Sequence, residues 1–143
     1  MTGPGELWQK ERIAAERAEE RAKQGARWEP ARERQAQRVI EACAEVFDVP
    51  TELLRSTDRR EDPTLARQLA AYLMRTRLRL SYPAIARVMG WRDHGTALYN
   101  VKRAKTYLEG GPSRQADAFG AHWQGHVQRR LNAVEARLVK EEK

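Results

Sequence analysis

SYPAIARVMGWRDHGTALYNVKRAKTYL, residues 81–108, is the segment from which the rest of the chain takes its meaning. Its pattern predicts two helices with a sharp break between them. Ser81 is a good N-cap, Pro83 is tolerated in a first turn, and Ile85, Val88 and Met89 make one apolar stripe. Gly90 supplies the left-handed backbone that ends a helix. Asp93 is the next cap, its carboxylate placed to accept from the free amides near Gly95 and Thr96. Behind it Ala97, Leu98, Val101, Ala104 and Leu108 repeat at helical spacing, while Tyr99, Lys102, Arg103 and Thr106 lie off that stripe. This is the pattern of a helix-turn-helix, whose second helix offers its N-terminal end to the major groove.

The charge distribution agrees. The chain has 143 residues and a formal net charge of +7. Between Arg67 and Lys105 nine basic residues stand against one acid, Asp93. The positive field is therefore concentrated on the predicted helix-turn-helix, as neutralising phosphates requires. Charged residues make up 33% and aromatics 7%, so core material is sparse. One modest domain with extensions is expected. No apolar run approaches the roughly 18 residues needed to span a bilayer, and no signal-peptide pattern opens the chain. The one cysteine, Cys43, excludes an intrachain disulfide and sits at helical spacing with Val39, Ile40, Val46 and Phe47, which reads as a buried structural thiol. A soluble cytoplasmic protein fits these features.

Three motifs carry a family resemblance. Arg92-Asp93-His94-Gly95-Thr96-Ala97-Leu98 resembles the RDHTTVLHA signature of the C-terminal DNA-binding domain of the bacterial replication initiator DnaA. SYPAIARVMG resembles that family's SLPEIGRRFGG, and ARQLAAYL, from Ala66 to Leu73, resembles its PRQIAMYL. The resemblance covers roughly residues 35–109, and it implies an all-α, DnaA domain IV-like (Trp-repressor-like) helix-turn-helix bundle with an extra helix at each end. The ATPase domain that precedes this module in the full-length initiator is not in this sequence, so no nucleotide or other cofactor is expected. A bacterial or phage-encoded, nucleoid-associated protein is implied.

The resemblance also implies a set of DNA contacts. Asp93 and His94 reach base edges: Asp can accept from a cytosine amino group, and His can donate to purine N7. Gly95 and Thr96 stand where the family has two threonines, and Gly95 lacks the methyl and hydroxyl that would touch a thymine or phosphate. Pro83, Arg75 and Arg92 match positions at the backbone, and Arg67 matches the arginine of the PRQ motif. Tyr82, Tyr99, Lys102 and Arg103 complete the expected surface. A further family arginine, two residues before the PRQ arginine, reads the minor groove; this chain has Leu65 there. A loop arginine, Arg59 or Arg60, is the candidate substitute. Losing one good base contact costs roughly 1–3 kcal/mol, which alters specificity more than it abolishes binding.

The flanks are organised around this domain. Residues 1–34 are expected to form a charged helix and linker, residues 35–109 the DNA-binding domain, and residues 110–143 a linker and amphipathic helix. Glu6 to Gln24 is rich in Ala, Glu, Arg and Lys, with a thin stripe of Leu7, Trp8 and Ile13. Gly25 and Trp28-Glu29-Pro30 break it. The next helix should run from Pro30 or Ala31 to about Phe47, followed by a short turn at Thr51 to Leu54 and a polar loop, Arg55 to Asp62. Asp62-Pro63 then opens a helix to about Arg79, with Leu65, Leu69, Tyr72, Leu73 and Thr76 as its stripe. After the Gly110-Gly111-Pro112 boundary one more helix is predicted from Arg114. Its stripe of Trp123, Val127, Leu131, Val134 and Leu138 should pack back on the domain or the N-terminal helix; homodimerisation and a foreign protein partner are the alternatives.

No catalytic constellation is evident. Asp93-His94 lacks a nucleophile motif, and His122 and His126, at i and i+4, lack a third metal ligand. The expectation is a non-enzymatic protein that binds double-stranded DNA. Replication or its control through origin-type boxes is the first role, transcription regulation through partner-recruiting flanks the second, and a protein-interaction adaptor the third.

Overall fold

The computed structural model describes residues 10–17, 30–55 and 61–141, and within them every regular element is a helix. In chain order these are α1 (residues 10–17), α2 (Pro30–Phe47), α3 (Thr51–Leu54), α4 (Glu61–Thr76), α5 (Tyr82–Met89), α6 (His94–Leu108), α7 (Arg114–Phe119) and α8 (His122–Glu141). The expected all-α bundle is therefore the observed one. Leu7, Trp8, the break from Gly25 to Glu29, and the loop arginines Arg59 and Arg60 lie outside the described residues.

α2 forms because Ala36, Val39, Ile40, Cys43 and Phe47 recur on one face, and all five are buried. It ends at Asp48, which takes a left-handed φ of 53°, while the amides of Asp48 and Val49 close back on Glu45 and Ala44. Burial pushes the Cys43 thiol well above its ordinary range, as desolvation of a thiolate must.

α4 is the central helix, packed against α2 on one side and α6 on the other. Leu65, Leu69 and Leu73 fill its buried face. It starts at Glu61 and ends at Thr76 rather than near Arg79. The chain stops the helix without a glycine: the amides of Arg77 and Leu78 both return to the Leu73 carbonyl, and Arg79 adopts φ 56°. That turn drives Leu80 into the core, where it is 2% exposed. Thr76, expected on the buried stripe, is exposed, with its hydroxyl donating to the Tyr72 carbonyl.

The single helix expected from Arg114 is two. Ser113 caps α7 by accepting from the Ala116 amide at 2.9 Å. Gly120, at φ 65° and ψ −150°, then separates α7 from α8; this backbone region is open essentially only to glycine. The stripe of α8 packs back on the domain, with Val127 and Val134 fully buried and Trp123, Leu131 and Leu138 nearly so. Its neighbours are α2 and α6. Arg130 Nη1 donates to the Val46 carbonyl at 3.0 Å, Arg137 pairs with Glu45 at 2.6 Å, and the Tyr107 and Trp123 rings meet edge to face. One buried cluster thus runs from Ala36 to Leu138, across the Gly110-Gly111-Pro112 connection.

Candidate nucleic-acid interface

α5 and α6 form the helix-turn-helix. The Ser81 hydroxyl accepts from the Ala84 amide at 3.2 Å, and Pro83 sits in the first turn, where its missing donor costs nothing. Gly90 closes α5 in the left-handed region at φ 74°. Asp93 Oδ1 then accepts from the Thr96 amide at 3.0 Å, which starts α6 where the sequence placed it. Ala97, Val101 and Ala104 lock α6 to the core. Tyr107 is also buried, at 2% exposure, although the sequence pattern put Leu108 on that stripe.

What α6 presents outward is a compact polar surface. Arg92, Asp93, His94, Gly95 and Thr96 are all exposed at its N-terminal end. Tyr99, one turn on, is 59% exposed, and Lys102 continues the same face. Tyr82 and Pro83 of α5 border it as half-buried residues. These groups can offer cations to phosphates and donors, acceptors and an aromatic ring to base edges.

The three remaining arginines of the expected surface differ from one another. Arg75 is half-buried; its Nη1 donates to the Leu80 carbonyl at 3.1 Å and its guanidinium lies 4.3 Å from the Tyr82 ring centroid. It borders the surface but also braces the α4–α5 connection. Arg103 is half-buried beside the Tyr99 and Tyr107 rings. Arg67 turns inward. It is 8% exposed, and its Nε and Nη2 donate to the carbonyls of Leu54 and Leu53 at 3.0 and 2.8 Å. Those carbonyls lie at the C-terminal end of α3, so the arginine ties α3 to α4. The ARQ arginine is a structural brace, and the sequence gives no sign of this because motif spacing does not report side-chain direction.

Leu65, where the family has its minor-groove arginine, is 2% exposed and belongs to the core. Gly95 has a local partner of its own. A Cβ there would meet Asp93 Oδ1 at 2.9 Å, so the residue after His94 is coupled to the helix cap. One neighbour was not foreseen: α1 lies over this face, with Glu16 Oε1 3.6 Å from His94 Nε2.

His122 is exposed, and His126 is half-buried with its ring against Trp123. Among the described residues no group of three His, Cys, Asp or Glu side chains is placed to hold a metal, and no helix is long and apolar enough to cross a membrane.

Fold and surface together define a helix-turn-helix domain of the DNA-binding class. Residues 36–104 match the family model described as the bacterial DnaA protein helix-turn-helix, and this part of the chain resembles that domain. Among relatives, the chromosomal replication initiator protein DnaA of Crocosphaera subtropica is 44% identical over 65 residues, covering 46% of this chain and 14% of its own length. Its counterpart in Trichormus variabilis is 37% identical over 71 residues, covering 50% and 15%. That of Thermus thermophilus is 37% identical over 71 residues, covering 50% and 16%. The chain thus spans about one sixth or less of each of these relatives, and the likeness supports DNA binding.

Proposed function

We propose that this protein binds duplex DNA sequence-specifically, with the N-terminal end of α6 in the major groove, and acts in replication initiation or its control at origin-type boxes. The observation that carries the reading is the RDH motif itself. Asp93 caps α6 so that Arg92, His94, Thr96, Tyr99 and Lys102 are exposed together, within a region that matches the DnaA helix-turn-helix. Arg92 and Lys102 serve phosphates; His94 and Thr96 serve base edges, with Asp93 Oδ2 as the free acceptor beside the cap. Arg75, Tyr82 and Pro83 flank the backbone. Buried Leu65 and the absent Gly95 side chain favour a site related to, but distinct from, the family's usual box.

Regulation of transcription through the flanking helices is the weaker reading, because the apolar stripe of α8 is engaged in the core. Selection from a randomised duplex library at near-physiological salt tests the proposal. A box-like motif supports the replication role. An unrelated motif supports a dedicated transcription regulator, and the absence of any enrichment overturns sequence-specific binding.

A further inference from the structure

The face that α6 presents to DNA is partly covered by the chain's own α1. A groove of about 880 Å³ runs between them, walled by Ile13 and Glu16 on one side and by His94, Leu98, Tyr99 and Lys102 on the other. We infer that residues 10–17 are an intramolecular cover over the DNA-reading face, which duplex DNA must displace. The inference rests on the function proposed above and adds its regulation.

Space alone sets the duplex against the cover. A helix with its side chains is about 10–12 Å across, and the major groove, about 12 Å wide, is filled by the one helix that enters it. With α6 in the groove, the sugar-phosphate walls must stand where α1 now sits. Docked α1 and bound duplex exclude each other.

The cover is also held outside the core. No residue of α1 belongs to the buried cluster. Ile13 remains 47% exposed while lining the groove, and Glu16 is only half-buried. The Glu16–His94 approach is between groups 41% and 46% exposed, a setting in which ion pairs contribute little. Releasing α1 therefore disturbs no core packing, as a reversible cover requires. Its occupancy lowers DNA affinity by the fraction of time it is docked.

The sign of the effect separates this from the opposite arrangement. Lys10, Arg12 and Arg17 on α1 could instead add phosphate contacts as a clamp. The full chain is compared with Ile13→Asp and Glu16→Gln in fluorescence anisotropy against the selected duplex, or a random-sequence duplex if none is selected. Ile13→Asp adds a negative charge, which by itself repels DNA, so tighter binding by this variant can come only from undocking. The expected gain is about five-fold or more, the lower end of ordinary site-to-site coupling. Saturating duplex should also speed amide exchange across residues 10–17. Unchanged or weaker binding by both variants, or slower exchange with DNA, overturns the cover. Failure of the wild type and both variants to bind any duplex removes the proposed function itself, and the cover with it.

Discussion

Asp93 and Thr96 are joined by a hydrogen bond of 3.0 Å from amide to carboxylate, so the acid of the RDH motif holds its own helix together. Asp93→Asn keeps an acceptor for the cap, whereas Asp93→Ala does not and should lose about 1 kcal/mol of stability. Thermal melts of the two variants check this. Equal loss of DNA affinity in both would assign the second carboxylate oxygen to a base; loss in Ala alone would leave Asp93 a cap only.

Arg92 and His94 should separate by role. Arg92→Ala is expected to weaken binding to all sequences and to reduce the salt slope by about one. His94→Ala should mainly erode discrimination, by about 1–3 kcal/mol between cognate and mismatched duplex. Parallel titrations on selected and random duplex measure both, and identical behaviour of the two variants rejects the division.

Arg67 is predicted to matter for folding rather than for contact. Arg67→Met removes the two hydrogen bonds that run from α4 to the Leu53 and Leu54 carbonyls, at a cost of about 1–3 kcal/mol. Denaturant unfolding should show that loss, while the folded fraction retains near-normal DNA affinity. A selective loss of affinity with unchanged stability would return Arg67 to the interface.

The chain should be monomeric, since the α8 stripe is buried within it. Trp123→Ala removes the ring that meets Tyr107 edge to face and stacks on Phe119, and should cost about 3–5 kcal/mol. Light scattering after size exclusion and chemical denaturation measure the two claims. A dimer whose dissociation exposes the stripe contradicts this packing.

Cys43 is 0% exposed, and burial holds its thiol protonated well beyond neutral pH. It should resist thiol reagents at mildly alkaline pH and react fully once denaturant unfolds the chain. Rapid labelling of the native protein would show that α2 opens locally.

Much of the domain was legible because its boundaries are written in residues with one local use. Ser81, Gly90 and Asp93 each fix a helix end through their own chemistry: α5 begins and ends, and α6 begins, where those residues stand. The end of α4 was not legible, because Arg79 takes a left-handed turn with no glycine to announce it. Gly120 was visible but reads as an interior helix glycine until its backbone angles are known. Arg67 shows the limit for the site: an arginine in a basic motif is indistinguishable by type from one that points at a phosphate. The placement of α1 depends on shallow contacts between exposed side chains, and such contacts leave no periodic signal in a sequence.

The pairing of α2 with α8 has a kinetic consequence. Arg137 and Glu45 lie 92 residues apart in the chain, and Arg130 reaches the Val46 carbonyl across 84. During synthesis α2 through α6 emerge first, with the groove for α8 still open to water. The last face of the core closes only after α8 has been made. Loop closure of that length is slow relative to local helix formation. Newly made protein therefore passes through a stage in which the reading head exists before its own interior is sealed, and a truncated translation product would remain at that stage, exposed to aggregation.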